Sequence, residues 1–181
     1  MSKITLFDKT FRPFIPYEKL EKAIDKVADH INADFSDSKE PVVLLCILNG
    51  SIMFTAELMK RLSFDCQLVS MKLSSYCGTE STGNVKQVMG MTGDIKDKHV
   101  IIVEDIVDTG NTIVDLTRIV KEKGALDCKV CTMLLKPEVY KKDVKLNYVA
   151  MEIPNKFIVG FGLDYNELGR NYKDIYILDE D

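Results

Sequence analysis

Tyr17, Leu20, Ile24, Val27, Ala28 and Ile31 recur at steps of three and four, which puts them on one stripe of a helix over residues 16 to 33. Pro16 fits its first turn. After the polar break NADFSDSKEP, the run VVLLCIL is continuously apolar for the length of a strand, and the turn NGS leads into IMFTAELMKRL with helical spacing. CQLVSMKL reads as the next strand, and KQVMGM as another beyond the polar segment SSYCGTESTGNVK. HVIIVED is the most β-branched run in the chain. It is followed by the helix NTIVDLTRIVKEKG, closed by Gly124. CKVCTMLLK, YVAMEI and FIVGFG supply further strands. Apolar strands alternating with helices predict an α/β fold, a mostly parallel sheet covered by helices on both faces.

With 181 residues and neither an internal repeat nor a linker, residues 1–181 are expected to form one domain. Apolar residues make up 46% and charged residues 29%, with only 10 Gly and 5 Pro, which excludes a disordered or fibrous chain. The 24 Lys and Arg against 28 Asp and Glu leave a net charge of −4, which offers no general attraction to nucleic acid or an anionic membrane. Any anionic ligand must be held locally. The stretch Pro41 to Ala56 is interrupted by Asn49, Gly50 and Ser51 and is too short to span a bilayer. The N-terminus MSKITLFDKTFRPFIP has no apolar signal segment, so a cytoplasmic location is expected.

The cysteines, at 46, 66, 77, 128 and 131, lack framework spacing and read as reduced thiols. Cys128 and Cys131 form a C-x-x-C, but on a strand a step of three sends two side chains to opposite faces, so structural thiols fit better than a redox or zinc pair. His30 and His99 have no partners at metal or triad spacing and read as structural.

The segment VIIVEDIVDTGNTI, residues 100 to 113, carries the densest chemistry. A buried strand ends in Glu104 and Asp105, and Asp108, Thr109, Gly110, Asn111 and Thr112 then lead straight into a helix. Ligands of open α/β sheets bind outside the carboxyl ends of the strands, where this loop must lie. Helix capping by Asp108 or Thr109 explains part of it, but not three carboxylates so close together. A glycine turn with hydroxyls at a helix N-terminus suits a phosphate monoester, and the acidic pair suits hydroxyls or a hard divalent cation. There is no Walker lysine and no G-x-G-x-x-G. An acidic phosphoacceptor domain also places an Asp pair after an apolar strand, but the Thr-Gly-Asn-Thr cradle argues against it.

VIIVEDIVDTGNT resembles the ribose-phosphate signature of type I phosphoribosyltransferases. The chain is similar over nearly its whole length to the hypoxanthine-guanine branch of that family: LNGS at 48 to 51, SYCGTESTGNVK at 75 to 86, LLKPE at 134 to 138 and IPNKFIVGFGLDYNELGRN at 153 to 171 occur in that branch's order. The resemblance implies a twisted, mostly parallel sheet flanked by helices, with a small hood built from the N- and C-terminal segments. It implies transfer of the 5-phosphoribosyl group from phosphoribosyl pyrophosphate to N9 of hypoxanthine or guanine, with magnesium as cofactor. It further implies a homodimer or homotetramer, and no nucleic-acid or membrane partner.

By the same resemblance, Glu104 and Asp105 bind the ribose hydroxyls near one magnesium ion. Asp108, Thr109, Gly110, Asn111 and Thr112 cradle the 5′-phosphate, and Asp108 is also the general base toward purine N7. Leu48, Asn49 and Gly50 form the pyrophosphate loop, with a cis peptide between the first two, and Arg170 contacts pyrophosphate. Lys136 meets the purine 6-oxo group, which as a donor it favours over the 6-amino group of adenine. Phe157, which alone reads as a core aromatic, stacks on the base. The Ile158 backbone meets the purine edge, and Asp164 completes this side of the site as a ligand of magnesium. Ser75 and Tyr76 are the tip of a loop that closes over the reaction, a step that keeps water from the ribosyl centre. Asn49 and Asn111 stand where relatives often carry a basic residue. An RNA-binding regulator on the same fold is the alternative, disfavoured by the net charge of −4 and the absence of a basic run.

Overall fold

The computed structural model describes residues 2–74 and 86–180; the expected lid tip, Ser75 and Tyr76, lies outside the described residues, as does Cys77. Two sheets organise the chain. The larger has six strands in the order β5(Lys86–Met89), β4(Cys66–Ser74), β3(Val42–Leu48), β6(His99–Val107), β7(Asp127–Leu135), β8(Tyr148–Glu152). β4, β3, β6, β7 and β8 are parallel, and β5 is an antiparallel edge. The chain leaves β3 for β4 on one side and returns to β6 on the other. The reversal of order therefore falls between the carboxyl ends of β3 and β6, where such sheets open a crevice.

Alternation along these strands builds two cores. Val42 and Leu44 of β3, Ile101 and Val103 of β6, and Cys131 and Met133 of β7 face α1(Tyr17–Phe35) and α2(Ile52–Met59). Val43, Leu45, Ile47, Val100, Ile102 and Val130 face α3(Asn111–Glu122), whose Ile113, Leu116 and Val120 close the other side. Where these strands are buried on both faces, as over residues 42–47 and 100–103, they are apolar at every position, which is why those runs are unbroken in the sequence. Cys128 and Cys131 do point into opposite cores. The α1 stripe is as its spacing predicts, with Leu20, Ile24, Val27, Ala28 and Ile31 buried. Pro16 sits one residue before α1, its carbonyl accepting from Lys19 N at 3.0 Å, while the buried Asp174 accepts the Tyr17 amide at 2.7 Å.

The second sheet is antiparallel, β1(Ile4–Leu6), β2(Lys9–Ile15), β10(Ile175–Leu178), β9(Ile158–Val159), and joins the two ends of the chain into the hood. Phe11, Val159 and Tyr176, with Leu6, form its own small core. Two sequence expectations are corrected here. FIVGFG does not extend the parallel sheet: only Ile158 and Val159 are strand, paired with Ile177 and Tyr176 in the hood. A short buried run reads the same in either sheet, and only its partner decides. The strand ending at Glu104 and Asp105 continues to Val107, because Ile106 and Val107 still pair with Leu134 and Leu135. Among the described residues no helix is long and apolar enough to cross a membrane.

Candidate active site

β3 ends at Leu48 and the chain turns through Asn49 and Gly50 into α2; the Leu48–Asn49 peptide is cis. Gly50 lies against the carboxyl end of β6 so closely that a Cβ there would fall 1.6 Å from Asp105 Oδ2. The absent side chain is the space the carboxylate fills. On its other side Gly50 meets Gly162, where a Cβ would fall 2.0 Å from the Gly50 carbonyl oxygen and φ is +97°. The Gly162 carbonyl accepts from Arg170 Nη1 at 2.9 Å, and Arg170 Nη2 pairs with Asp164 Oδ1 at 2.8 Å. Leu48 to Gly50, Asp105, Asp164 and Arg170, distant in sequence, therefore occupy one corner of the crevice. Glu167, not singled out from the sequence, shares Arg170 at 3.2 Å and donates its amide to Asp164 Oδ2 at 2.8 Å.

The acidic pair is sunk into this corner. Burial, with the charge of Asp105 added, pushes the Glu104 carboxyl well above the ordinary carboxylate range. Burial also pushes Asp105 up to about 6; the Ile106 amide, 2.8 Å from Oδ1, and the Arg170 charge pull against it, while Asp164 adds to the push. Buried carboxylates short of positive charge suit a hard divalent cation. Among the described residues no three His, Cys, Asp or Glu gather into a ready-made cage. A cation here would share its oxygen ligands between these carboxylates and a bound substrate.

Asp108 follows β6, and Lys136 follows its neighbour β7, its amide bonded to the Val107 carbonyl at 3.0 Å. Lys136 Nζ stands 3.1 Å from Asp108 Oδ2; Lys136 is buried and the Asp108 side chain half-exposed. Beyond Asp108 the chain passes Thr109 and enters α3 from Gly110 at φ +84°. Among the described residues no side chain caps α3, so neither Asp108 nor Thr109 plays the purely structural role that the sequence left open. Among the described residues, no side chain bonds the first-turn amides of Asn111, Thr112 and Ile113, which lie at the carboxyl edge of the sheet.

In the hood, Phe157 is 43% exposed and held on edge: its ring centroid lies 6.0 Å from Phe11 and 5.8 Å from Tyr165, the latter at 84°. Tyr165 is anchored by a 2.7 Å hydrogen bond from its hydroxyl to Asp8 Oδ1. The neighbour of Asp164 thus braces Phe157 and joins the aromatic face to the acidic corner. Ile158 is buried beneath it. Neither Tyr165 nor Asp8 was singled out from the sequence; the aromatic beside GLD was the available signal.

The residues that match a phosphoribosyl transferase domain model run from 16 to 166 and include both strand ends and the α3 loop. The chain belongs to the phosphoribosyl transferase family. It is 39% identical over 168 residues to the hypoxanthine-guanine phosphoribosyltransferase of Streptococcus pneumoniae, covering 92% of each chain. It is 34% identical over 157 residues to the hypoxanthine phosphoribosyltransferase of Buchnera aphidicola, covering 86% of this chain and 89% of that one. A crystal structure of a hypoxanthine phosphoribosyltransferase from Staphylococcus aureus superposes with a TM-score of 0.86 at 34% identity, covering 93% of this chain and 91% of the other. The mixed sheet and the antiparallel hood are thus the family's architecture, as the resemblance implied.

Proposed function

We propose that this phosphoribosyl transferase family member is a purine salvage enzyme. It transfers the 5-phosphoribosyl group of phosphoribosyl pyrophosphate to N9 of hypoxanthine or guanine, releasing pyrophosphate. The observation that carries this reading is the Lys136–Asp108 pair beside an uncapped α3. A 6-oxopurine presents O6 and N7 side by side on one edge. Lys136, a donor only, takes O6, and Asp108 receives the N7 proton. Phe157 covers the base, and the Ile158 backbone meets its edge.

Thr109, Gly110, Asn111 and Thr112 bind the 5′-phosphate through amides and hydroxyls, and Glu104 and Asp105 hold the ribose hydroxyls. Leu48, Asn49, Gly50 and Arg170 hold the pyrophosphate, with Ser75 and Tyr76 closing over the site. Glu104, Asp105 and Asp164 would hold magnesium, which when bound neutralises the leaving pyrophosphate. We place the protein in the cytoplasm as a homodimer or homotetramer, for which the exposed Ile52 and Leu68 offer apolar surface. The RNA-binding alternative finds no support: the net charge is −4 and the relatives are named as purine transferases.

Mixing purified protein with phosphoribosyl pyrophosphate, magnesium and each base in turn tests the reading by absorbance. Inosine or guanosine monophosphate is the expected product, and failure to consume either base with full donor present would refute it.

A further inference from the structure

The loop from Asp108 to Thr112 contains a carboxylate and no cationic side chain. The nearby ammonium of Lys136 is engaged by Asp108 at 3.1 Å. A phosphate monoester at the start of α3 would meet amides and hydroxyls there, and the charge of Asp108 would oppose it. The missing positive charge must come from another segment.

The chain that follows β7 folds back over this loop. A Cβ on Gly110 would fall 2.5 Å from Tyr140 Cε2 and 2.9 Å from Lys142 Cγ, so the tyrosine ring and the lysine stem lie directly on the Gly110 backbone. Tyr140 is pinned: its hydroxyl donates to the Val144 carbonyl, and its amide donates to the Lys136 carbonyl at 3.2 Å. Lys142 is exposed, and among the described residues it pairs with no carboxylate. Its ammonium lies beyond Cδ and Cε, past the atom that touches Gly110. A lysine with its stem laid along a surface and its head in water is placed to meet a bound anion, and its compact charge suits phosphate from a range of directions.

We propose that Lys142 is a binding residue for the 5′-phosphate, supplying from the segment after β7 the cation that the Asp108–Thr112 loop lacks. The proposal rests on the phosphate-loop assignment given above. Its specific consequence is that Lys142 recognises the phosphoryl group and neither the base nor the ribose.

Calorimetric titration of inosine monophosphate and of inosine into the parent, Lys142→Gln and Lys142→Arg, without metal or pyrophosphate, isolates that contribution. The parent should prefer the nucleotide. Lys142→Gln should lose roughly five- to tenfold of that preference, as for a charge-assisted contact, while inosine affinity stays the same. Lys142→Arg should restore most of it. The preference should also decline with added salt more steeply in the parent than in Lys142→Gln. An unchanged preference in Lys142→Gln overturns the proposal while leaving the phosphate loop standing. An equal loss for nucleotide and nucleoside also overturns it, because Lys142 would then act only by packing on Gly110. A parent with no preference for the nucleotide removes the phosphate-loop assignment itself.

Discussion

Lys136 and Asp108 lie 28 residues apart in the chain and 3.1 Å apart in space, because they leave the carboxyl ends of adjacent parallel strands. The Lys136 ammonium donates to the Asp108 carboxylate, so each satisfies the other. On the reading proposed above, a purine with O6 and a proton at N7 comes between them and replaces what each loses. Adenine offers a 6-amino donor to a donor, so the buried ammonium would be left unpaired.

Asp108→Asn keeps the size of the side chain and a contact to Lys136 but removes the proton acceptor. Single-turnover formation of inosine monophosphate should slow by ~10²–10⁴-fold, the usual worth of general-base assistance, with donor binding retained. Turnover within a few-fold of the parent would take Asp108 out of that role.

Gly50→Ala would push a methyl to within 1.6 Å of Asp105 Oδ2, so the carboxylate must leave its seat. Since Asp105 is assigned to the ribose and metal, the KM for phosphoribosyl pyrophosphate should rise about tenfold or more while the KM for hypoxanthine changes less. Initial rates over a grid of both substrates give the two constants, and equal shifts in both would argue against the assignment.

Away from the site, Asp34 accepts from Lys129 Nζ at 2.8 Å and from the Tyr148 hydroxyl, tying α1 to β7 and β8. The Lys129 ammonium first, and the Tyr148 hydroxyl second, hold its carboxyl below the ordinary aspartate range. A depressed folded value means that the stabilisation is present above the unfolded value of about 3.9 and is lost as pH falls through the folded one. Asp34→Asn should lower Tm at pH 7 by about 1–3 °C, a modest effect because the carboxylate is half-exposed. The difference should shrink as the scans move below pH ~4. A gap that persists unchanged at low pH would mean that charge is not its source.

Much of the large sheet could be read from the chain because residues 42–47 and 100–103 are buried on both faces and leave unbroken apolar runs. The hood could not be read strand by strand. Ile4–Leu6 is too short to show a period, and Val159 joins Tyr176 through a pairing that no local pattern encodes. The direction of Lys86–Met89, antiparallel at the edge, has no signature in four residues. The loop Asp108–Thr112 was legible because its chemistry is contiguous. The contacts that complete the corner were not, since Gly50 meets Asp105, and Tyr140 meets Gly110, only after β3, β6 and β7 are laid side by side.

The central claim is that the pair at the carboxyl ends of β6 and β7 reads a 6-oxopurine, and Lys136→Gln tests it most directly. A glutamine amide can present either a donor or an acceptor to the 6-position, and it removes the buried charge that adenine would leave unpaired, a mismatch worth ~1–3 kcal/mol or more. The ratio of kcat/KM for hypoxanthine to that for adenine should fall by at least about tenfold in the variant, chiefly through poorer use of hypoxanthine. A ratio as high in Lys136→Gln as in the parent would contradict the account, because something other than Lys136 would then be reading the base.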